Sequence, residues 1–321
     1  MFIFALILSI KRKMTIQQLK YIVAIDEHRH FGKAAEACGL TQSTLSLMVK
    51  KLEDELDVSI FNRDAHPVAP TEIGRKIIDK ARIVLFNAAQ IYEMTRSEKE
   101  ILSGEMNLAL ISTAAPVLVP GLFKYFGANY PSISLRTEEM LSDTIVNKLR
   151  RAEVDMAVMA SPVREDDLLE IPLWTERFLA YVSESDPAYA LEQIPSDSLA
   201  GRLVWIMHDG IRLLDKADFS PSDPMAYERF FEGSRVGTLI QIVNENGGLT
   251  IIPETHLGLI LYSLQKNLRP IVAPELKRTI SLVIRKDYIH EARLNAVIKA
   301  VKSIIPTALL ENIVRSDYLR L

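Results

Sequence analysis

The segment from Gly32 to Arg63, GKAAEACGLTQSTLSLMVKKLEDELDVSIFNR, constrains the fold more than any other stretch. It fits two short helices joined by a tight turn at Gly39-Leu40-Thr41. On the second helix Leu45, Val49, Leu52 and Leu56 recur at spacings of 4, 3 and 4. That spacing makes one face apolar and buried. The opposite face carries Ser43, Thr44, Ser46 and Lys50, side chains that can reach base edges and phosphates. A helix anchored by one face and polar on the other is how a helix-turn-helix reader enters the major groove. A merely solvated amphipathic helix, with Lys50, Lys51, Glu53, Asp54 and Glu55 hydrated, has the same periodicity. Net charge does not separate the two. Between Met14 and Asp64 there are 6 Lys/Arg against 8 Asp/Glu. Phosphate neutralisation supplies much of the affinity of a DNA binder, so its few cations must be placed locally.

A chain of 321 residues makes two or three domains, and 48% apolar residues with 25% charged ones is ordinary for a globular protein. The single cysteine, Cys38, excludes an intramolecular disulfide and a multi-cysteine metal site. Its place beside Ala34 and Ala35 predicts a buried structural thiol. Enzyme motifs of the G-x-S-x-G, Walker A, H-E-x-x-H and G-x-G-x-x-G types are absent. His28, His30, His66, His208, His256 and His290 form no ligand-spaced cluster, so no metal, cofactor or catalytic residue is expected.

The N-terminus begins with the apolar run FIFALILSI, Phe2 to Ile10, followed by Lys11-Arg12-Lys13. It falls short of the roughly 20 apolar residues that span a bilayer. Its charges also follow the apolar stretch, the reverse of a signal peptide. Residues 1–13 are expected to come from an upstream start codon and to take no part in the fold; a membrane-associating tail is the rival expectation.

The stretch from Met14 to Arg63 resembles the winged helix-turn-helix of LysR-type transcriptional regulators. The matching residues are Ala34-Ala35-Glu36, the TQSTLS run from Thr41 to Ser46, KLEDEL from Lys51 to Leu56, and Phe61-x-Arg63. The EHRHF run, Glu27 to Phe31, is similar to the hydrogen-peroxide-responsive OxyR branch. The resemblance implies DNA contacts by Thr41, Gln42, Ser43, Thr44, Ser46, Lys50 and Arg63. It implies a wing between Asp57 and Pro70, where His66 could assist Arg63. An ion pair of Arg63 with Glu53 or Asp54 is the alternative for that residue. The family has Pro where this chain has Ser43; Pro at a first helical turn is pre-organised but not required, so altered base preference is expected. The family further implies promoter DNA, RNA polymerase and a small-molecule effector as partners, a homodimer or homotetramer, and a cytoplasmic location without membrane attachment.

Thr71 suits an N-cap and Glu72 the positive end of a helix dipole. Ile73, Ile77, Ala81, Val84, Ala88 and Ile91 then recur at spacings of 4, 4, 3, 4 and 3. This near-heptad seam predicts a coiled coil between two chains, or one helix lying on its own domain. The resemblance makes residues 71–103 a linker and dimerisation helix after a DNA-binding domain at 14–70.

After Ser103-Gly104 the pattern alternates strands and helices: MNLALI, a helix from Val117 to Tyr130, ISLRTEE, a helix from Asp143 to Arg151, and DMAVMA. This order argues for a parallel sheet with helices on both faces. LVWI, a helix near Thr238 to Asn246, and LTII repeat the order. The chain returns near Arg269 to Ala273, TISLVIRKD rejoins the first sheet, and a helix from His290 to Ile304 closes it. Pro306 to Leu321 reads as one more helix. The expected whole is a two-lobed, periplasmic-binding-protein-like α/β effector domain over 104–321. Lobe I would cover about 104–178 and 267–321, and lobe II about 179–266. Ligands of open α/β sheets bind beyond the strands' carboxyl ends, often at helix N-termini. That rule selects Ser112, Thr113, Ser142, Ala160, Ser161, Gly237 and Thr238, each of which could equally be a helix cap or turn residue. A small anion or polar molecule would suit them. A solute-binding protein would explain the lobes, but not Gly32 to Arg63.

HDGIRLLD, His208 to Asp215, resembles the region of the peroxide sensors that carries the reactive cysteine. Arg212 stands at the cysteine's position, and FSPSDPM, Phe219 to Met225, has no resolving cysteine. Thiolate nucleophilicity underlies that chemistry, so sensing through a disulfide is rejected. An oxidative-stress regulator acting without a disulfide remains an alternative. Arg212 becomes a fixed cation, facing an acidic ligand or, alternatively, Asp209 or Asp215. Thr113 and Arg278 match polar residues around the sensors' pocket.

Overall fold

Thr15 starts the first described helix by a reciprocal cap: its Oγ1 accepts from Gln18 N at 3.2 Å, and Gln18 Oε1 accepts from Thr15 N at 2.9 Å. The computed structural model describes residues 14–63, 65–94, 102–199, 202–207, 229–231, 235–272, 275–288 and 290–311. The expectations for residues 1–13, Arg212, 219–225 and 312–321 lie outside them. The chain divides into a unit of residues 1–100 with 150–153, and a second unit of 101–149 and 154–321.

In the first unit, helices α1 (Ile16–His28), α2 (Phe31–Ala37) and α3 (Gln42–Leu56) pack around Ile22, Ile25, Ala34, Leu45, Val49 and Leu52. The turn between α2 and α3 holds Gly39 at φ +68°, a conformation that glycine adopts without penalty. Strands β1 (Phe61–Asn62) and β2 (Ala69–Pro70) pair antiparallel as a small wing. Cys38 is half-buried rather than buried, because it caps the end of α2 at the rim of this core.

Helix α4 (Glu72–Met94) begins as expected at Thr71, whose Oγ1 accepts from Gly74 N at 2.9 Å and donates to Ser59 O at 2.7 Å. The seam is split. Ala81, together with Ile78, is buried in the unit's own core with Ile77 packed beside it, whereas Ile73 and Val84 are exposed. Arg82 reinforces the intramolecular side, donating to Glu27 at 2.9 Å and Asp26 at 3.1 Å on α1.

The second unit has two sheets that share one strand. In lobe I, β3 (Gly104–Leu110) lies between β4 (Ile133–Glu139) and β5 (Met156–Ala160), all parallel. Helices α5 (Ala115–Asn129) and α6 (Ser142–Arg150) make the crossovers. The sheet is mixed rather than parallel throughout, because β12 (Lys277–Arg285) inserts antiparallel between β5 and β6 (Leu168–Val182). Strand β6 then continues into lobe II. There its last residues, Phe178 to Val182, pair with β10 (Leu249–Pro253), and β11 (Leu268–Val272) also pairs with β6. Beyond these lie β7 (Ile194–Pro195), β8 (Val204–Met207), β9 (Arg229–Phe231) and helix α7 (Val236–Asn246). Side chains alternate along β6: Phe178, Ala180 and Val182 enter one core of lobe II, and Tyr181 enters the other. Strand β6 passes from one sheet to the other near Arg177 and Phe178. Against the expected return to lobe I at about residue 267, β11 pairs with β6 in lobe II, and the first sheet resumes at β12.

Helix α8 (Glu291–Ile304) closes lobe I against α5, with the Gly121 backbone close to Ile304. Over the described residues 306–311, a turn and an extended stretch stand where a helix was expected. Thr175 N donates to Leu309 O, Glu311 N donates to Leu173 O, and Leu310 bridges Trp174. Strand pairing satisfies these backbone groups in place of a helical ladder.

Gly74 is required where the linker helix meets the wing. A Cβ there would stand 1.9 Å from Ile60 O. Gly74→Ala is expected to destabilise the first unit by about 1–3 kcal/mol, read as a lower urea midpoint of the full-length protein. An unchanged midpoint would show that α4 is not seated this way.

Candidate functional sites

The first candidate site is the outward face of α3. Thr41 caps the helix, accepting from Thr44 N at 3.3 Å, and its Oγ1 lies 3.0 Å from Ser43 Oγ and 2.8 Å from Thr44 Oγ1. Three hydroxyls are thereby clustered at the positive end of the helix dipole. Gln42, Ser43 and Lys50 are exposed; Thr44 and Ser46 are half-buried. The face also presents Leu47, 63% exposed, one turn from Ser43 and Lys50. Periodicity had hidden it, because an apolar residue was sought on the buried side. Such a side chain is suited to a thymine methyl in the major groove.

Arg63 realises the ion-pair alternative: it meets Glu53 Oε2 at 2.9 Å. It also donates to Ser46 Oγ at 3.2 Å and lies 5.4 Å over the Phe31 ring. Glu53 Oε1 accepts from Ile60 N at 2.7 Å and from Phe61 N at 3.2 Å. One carboxylate therefore fixes the wing against α3 and holds Arg63 beside the reading face. The arginine side chain is still 42% exposed, which leaves it open to a phosphate. His66 is exposed on the wing.

The second candidate site is a cleft of about 550 Å³ within the effector unit. Ser112 and Pro116 come from the end of β3 and the start of α5, and Glu139 from the end of β4. Arg235, Val236, Gly237, Thr238 and Ile240 come from the start of α7, and His256, Leu259 and Ile260 from the segment after β10. Two helix N-termini from opposite lobes thus contribute to one cavity, an arrangement that favours an anion. The volume lies in the range of small-molecule sites, roughly 300–1,000 Å³.

Of the expected effector residues, Ser112 and Thr238, with Gly237, line the cleft. Thr113 is buried beside Ser112 but outside the lining, and Ser142 opens α6 elsewhere. Ser161 follows Ala160 away from the cleft, its hydroxyl 2.5 Å from both Glu170 Oε2 and Ser281 Oγ. Arg278 is buried: its Nε donates to Glu176 Oε1 at 2.7 Å, the two side chains being 4% and 0% exposed. It stacks 5.3 Å over Phe178. Its Nη2 meets no partner among the described residues.

Sequence reasoning missed Glu139, Arg235 and His256. His256 is 3% exposed, and both ring nitrogens lack a hydrogen-bond partner among the described residues. Burial, and secondarily the Arg278 charge, lowers its pKa to about 4 against the opposing pull of Glu176. It is neutral in the fold at pH 7, whereas an unfolded histidine titrates near 6.5. The folded pKa is the lower one, so this contribution to stability is complete above about 6.5 and is lost as pH falls toward 4. The whole loss is on the order of 3 kcal/mol. His256→Leu should reduce the fall in urea midpoint between pH 6.5 and pH 4; an unaltered pH profile would show that His256 is not buried and neutral.

Known proteins agree with this division. The model of the bacterial regulatory helix-turn-helix proteins of the lysR family matches residues 16–75, and the LysR substrate-binding domain matches residues 99–304. The hydrogen peroxide-inducible genes activator of Haemophilus influenzae is 29% identical over 299 residues, 92% of this chain and 99% of the relative. The DNA-binding transcriptional dual regulator OxyR of Escherichia coli K12 is 30% identical over 297 residues, 90% of this chain and 95% of the relative. A full-length OxyR variant from Pseudomonas aeruginosa superposes with a TM-score of 0.80 at 29% identity, covering 93% of this chain and 98% of that one. With its reading helix, its wing and its two-lobed second unit, the chain belongs to the LysR family of DNA-binding transcriptional regulators with an effector-binding domain.

Proposed function

We propose that this regulator binds promoter DNA as a homodimer or a pair of dimers, and that a small organic effector in the cleft sets its geometry on that DNA. Thr41 to Ser46, Leu47 and Lys50 read the major groove, and Arg63 contacts the backbone. Pairing through the exposed Ile73 and Val84 face of α4 sets the spacing of two half-sites. The effector favours one arrangement of the lobes over another, a population shift, and so alters contact with RNA polymerase. The observation that carries the effector half is the 550 Å³ cleft with helix N-termini from both lobes.

The relatives' names suggest peroxide as the signal. Cys38 is a poor candidate for it: burial and the neighbouring Glu27 push its thiol pKa up, and a thiol is the unreactive form. The cleft is also far larger than a peroxide molecule, which is close in size to a water of about 30 Å³.

Lys50→Ala should weaken binding to DNA from the protein's own upstream region by about tenfold at fixed salt, near the 1–3 kcal/mol of one contact. Leu47→Asp should do so more strongly, since it brings a carboxylate toward the phosphates. Fluorescence anisotropy with a labelled duplex measures both, and equal affinity of both variants with the wild type would remove α3 as the reading helix.

A further inference from the structure

Three consecutive residues after β10 divide their work. Glu254 accepts from Arg177 N at 2.8 Å and pairs with its guanidinium at 3.2 Å. Thr255 donates to Glu176 Oε2, and Glu176 holds Arg278. Arg177 and Glu176 stand on β6 where that strand passes from one sheet to the other. The third residue, His256, turns instead to the cleft, which it lines with both ring nitrogens unpaired among the described residues. A neutral imidazole has one donor and one acceptor, and a buried polar group without partners is an exception that calls for an explanation. The same cavity offers Arg235, Thr238 and the α7 N-terminus to an anion, and Val236, Ile240 and Ile260 to an apolar body.

We propose that His256 is the specificity-determining residue of the cleft, and that the effector is a small amphipathic organic acid. The carboxylate lies at Thr238 and the α7 N-terminus, and a second polar group pairs with the imidazole, which rotates toward it. Because His256 follows Thr255 directly, that pairing pulls on the contacts that join the lobes at β6. The inference rests on the cleft being the effector site.

The test uses the full-length protein and a fixed panel: acetate, butyrate, 3-hydroxybutyrate, benzoate and 4-hydroxybenzoate, with the matching amides and amines. Calorimetry gives Kd for the wild type, His256→Leu, His256→Gln and Thr238→Tyr, the last filling the cleft. Long-range ¹⁵N–¹H spectra of histidine-labelled protein report the ring nitrogens, His256 being assigned by its loss in His256→Gln, independently of His256→Leu. Expected is binding by at least one acid, weakened tenfold or more in His256→Leu and partly restored in His256→Gln, with the His256 nitrogens shifting on binding. If His256→Leu does not fold, the wild-type spectra decide: unmoved His256 resonances at saturation overturn the proposal. So do equal affinity in His256→Leu, binding by amides or amines alone, or no binding by any acid. Acid binding that Thr238→Tyr blocks but His256→Leu spares rejects His256 and leaves the cleft reading intact. Acid binding that Thr238→Tyr spares rejects the cleft itself.

Discussion

Strand β6 is the constraint on which the effector unit depends. One stretch of 15 residues hydrogen-bonds to β12 in the first lobe and to β10 and β11 in the second. The lobes are therefore extensions of a single backbone rather than two bodies on a loose tether. At the passage between sheets sits Glu176, buried, with Arg278 from the first lobe on one oxygen and Thr255 from the second on the other. A buried pair of this kind adds little net stability, but removing one partner leaves an uncompensated charge. Its physical consequence is that this buried carboxylate is solvated by partners from both lobes together. A movement that parted the lobes at this point would break a hydrogen bond to that carboxylate.

The DNA-binding unit follows a similar economy of charge. A chain of net charge −3 has no general cationic field to draw DNA. Its cations must be positioned, and Glu53 does this for Arg63 while also receiving the backbone N–H groups of Ile60 and Phe61. The acidic residue that the charge count set against nucleic-acid binding is thus one that orients a cation beside the reading face.

What could be read in the sequence was what local physics decides. The cap at Thr71, the turn at Gly39, and the Leu45-Val49-Leu52 stripe each act within a few residues, and each lies where expected. The βαβ order picked out Ser112 and Thr238, which line the cleft, because strand ends and helix starts are local features too. Strand β6 escaped notice: LLEIPLWTERFLAYV mixes Pro172 and charged residues into an apolar run, and its pairing partners lie about 70 to 120 positions away. His256 escaped because an isolated histidine looks alike whether its nitrogens find partners or not. For the seam of α4 the sequence left an interchain coiled coil and packing on its own domain open, because one apolar stripe can serve two neighbours; Ala81 serves its own domain, while Ile73 and Val84 face outward.

The central claim is that the strap from Glu254 to His256 passes the state of the cleft to the DNA. DNase I footprinting of Thr255→Val on the protein's own upstream DNA tests it most directly. That substitution removes the second lobe's hydroxyl from Glu176 while preserving the side chain's shape and the whole first unit. The account predicts protection at the same half-sites with a changed protected length or a changed pattern of hypersensitive positions. A footprint identical to the wild type at every protein concentration would contradict it.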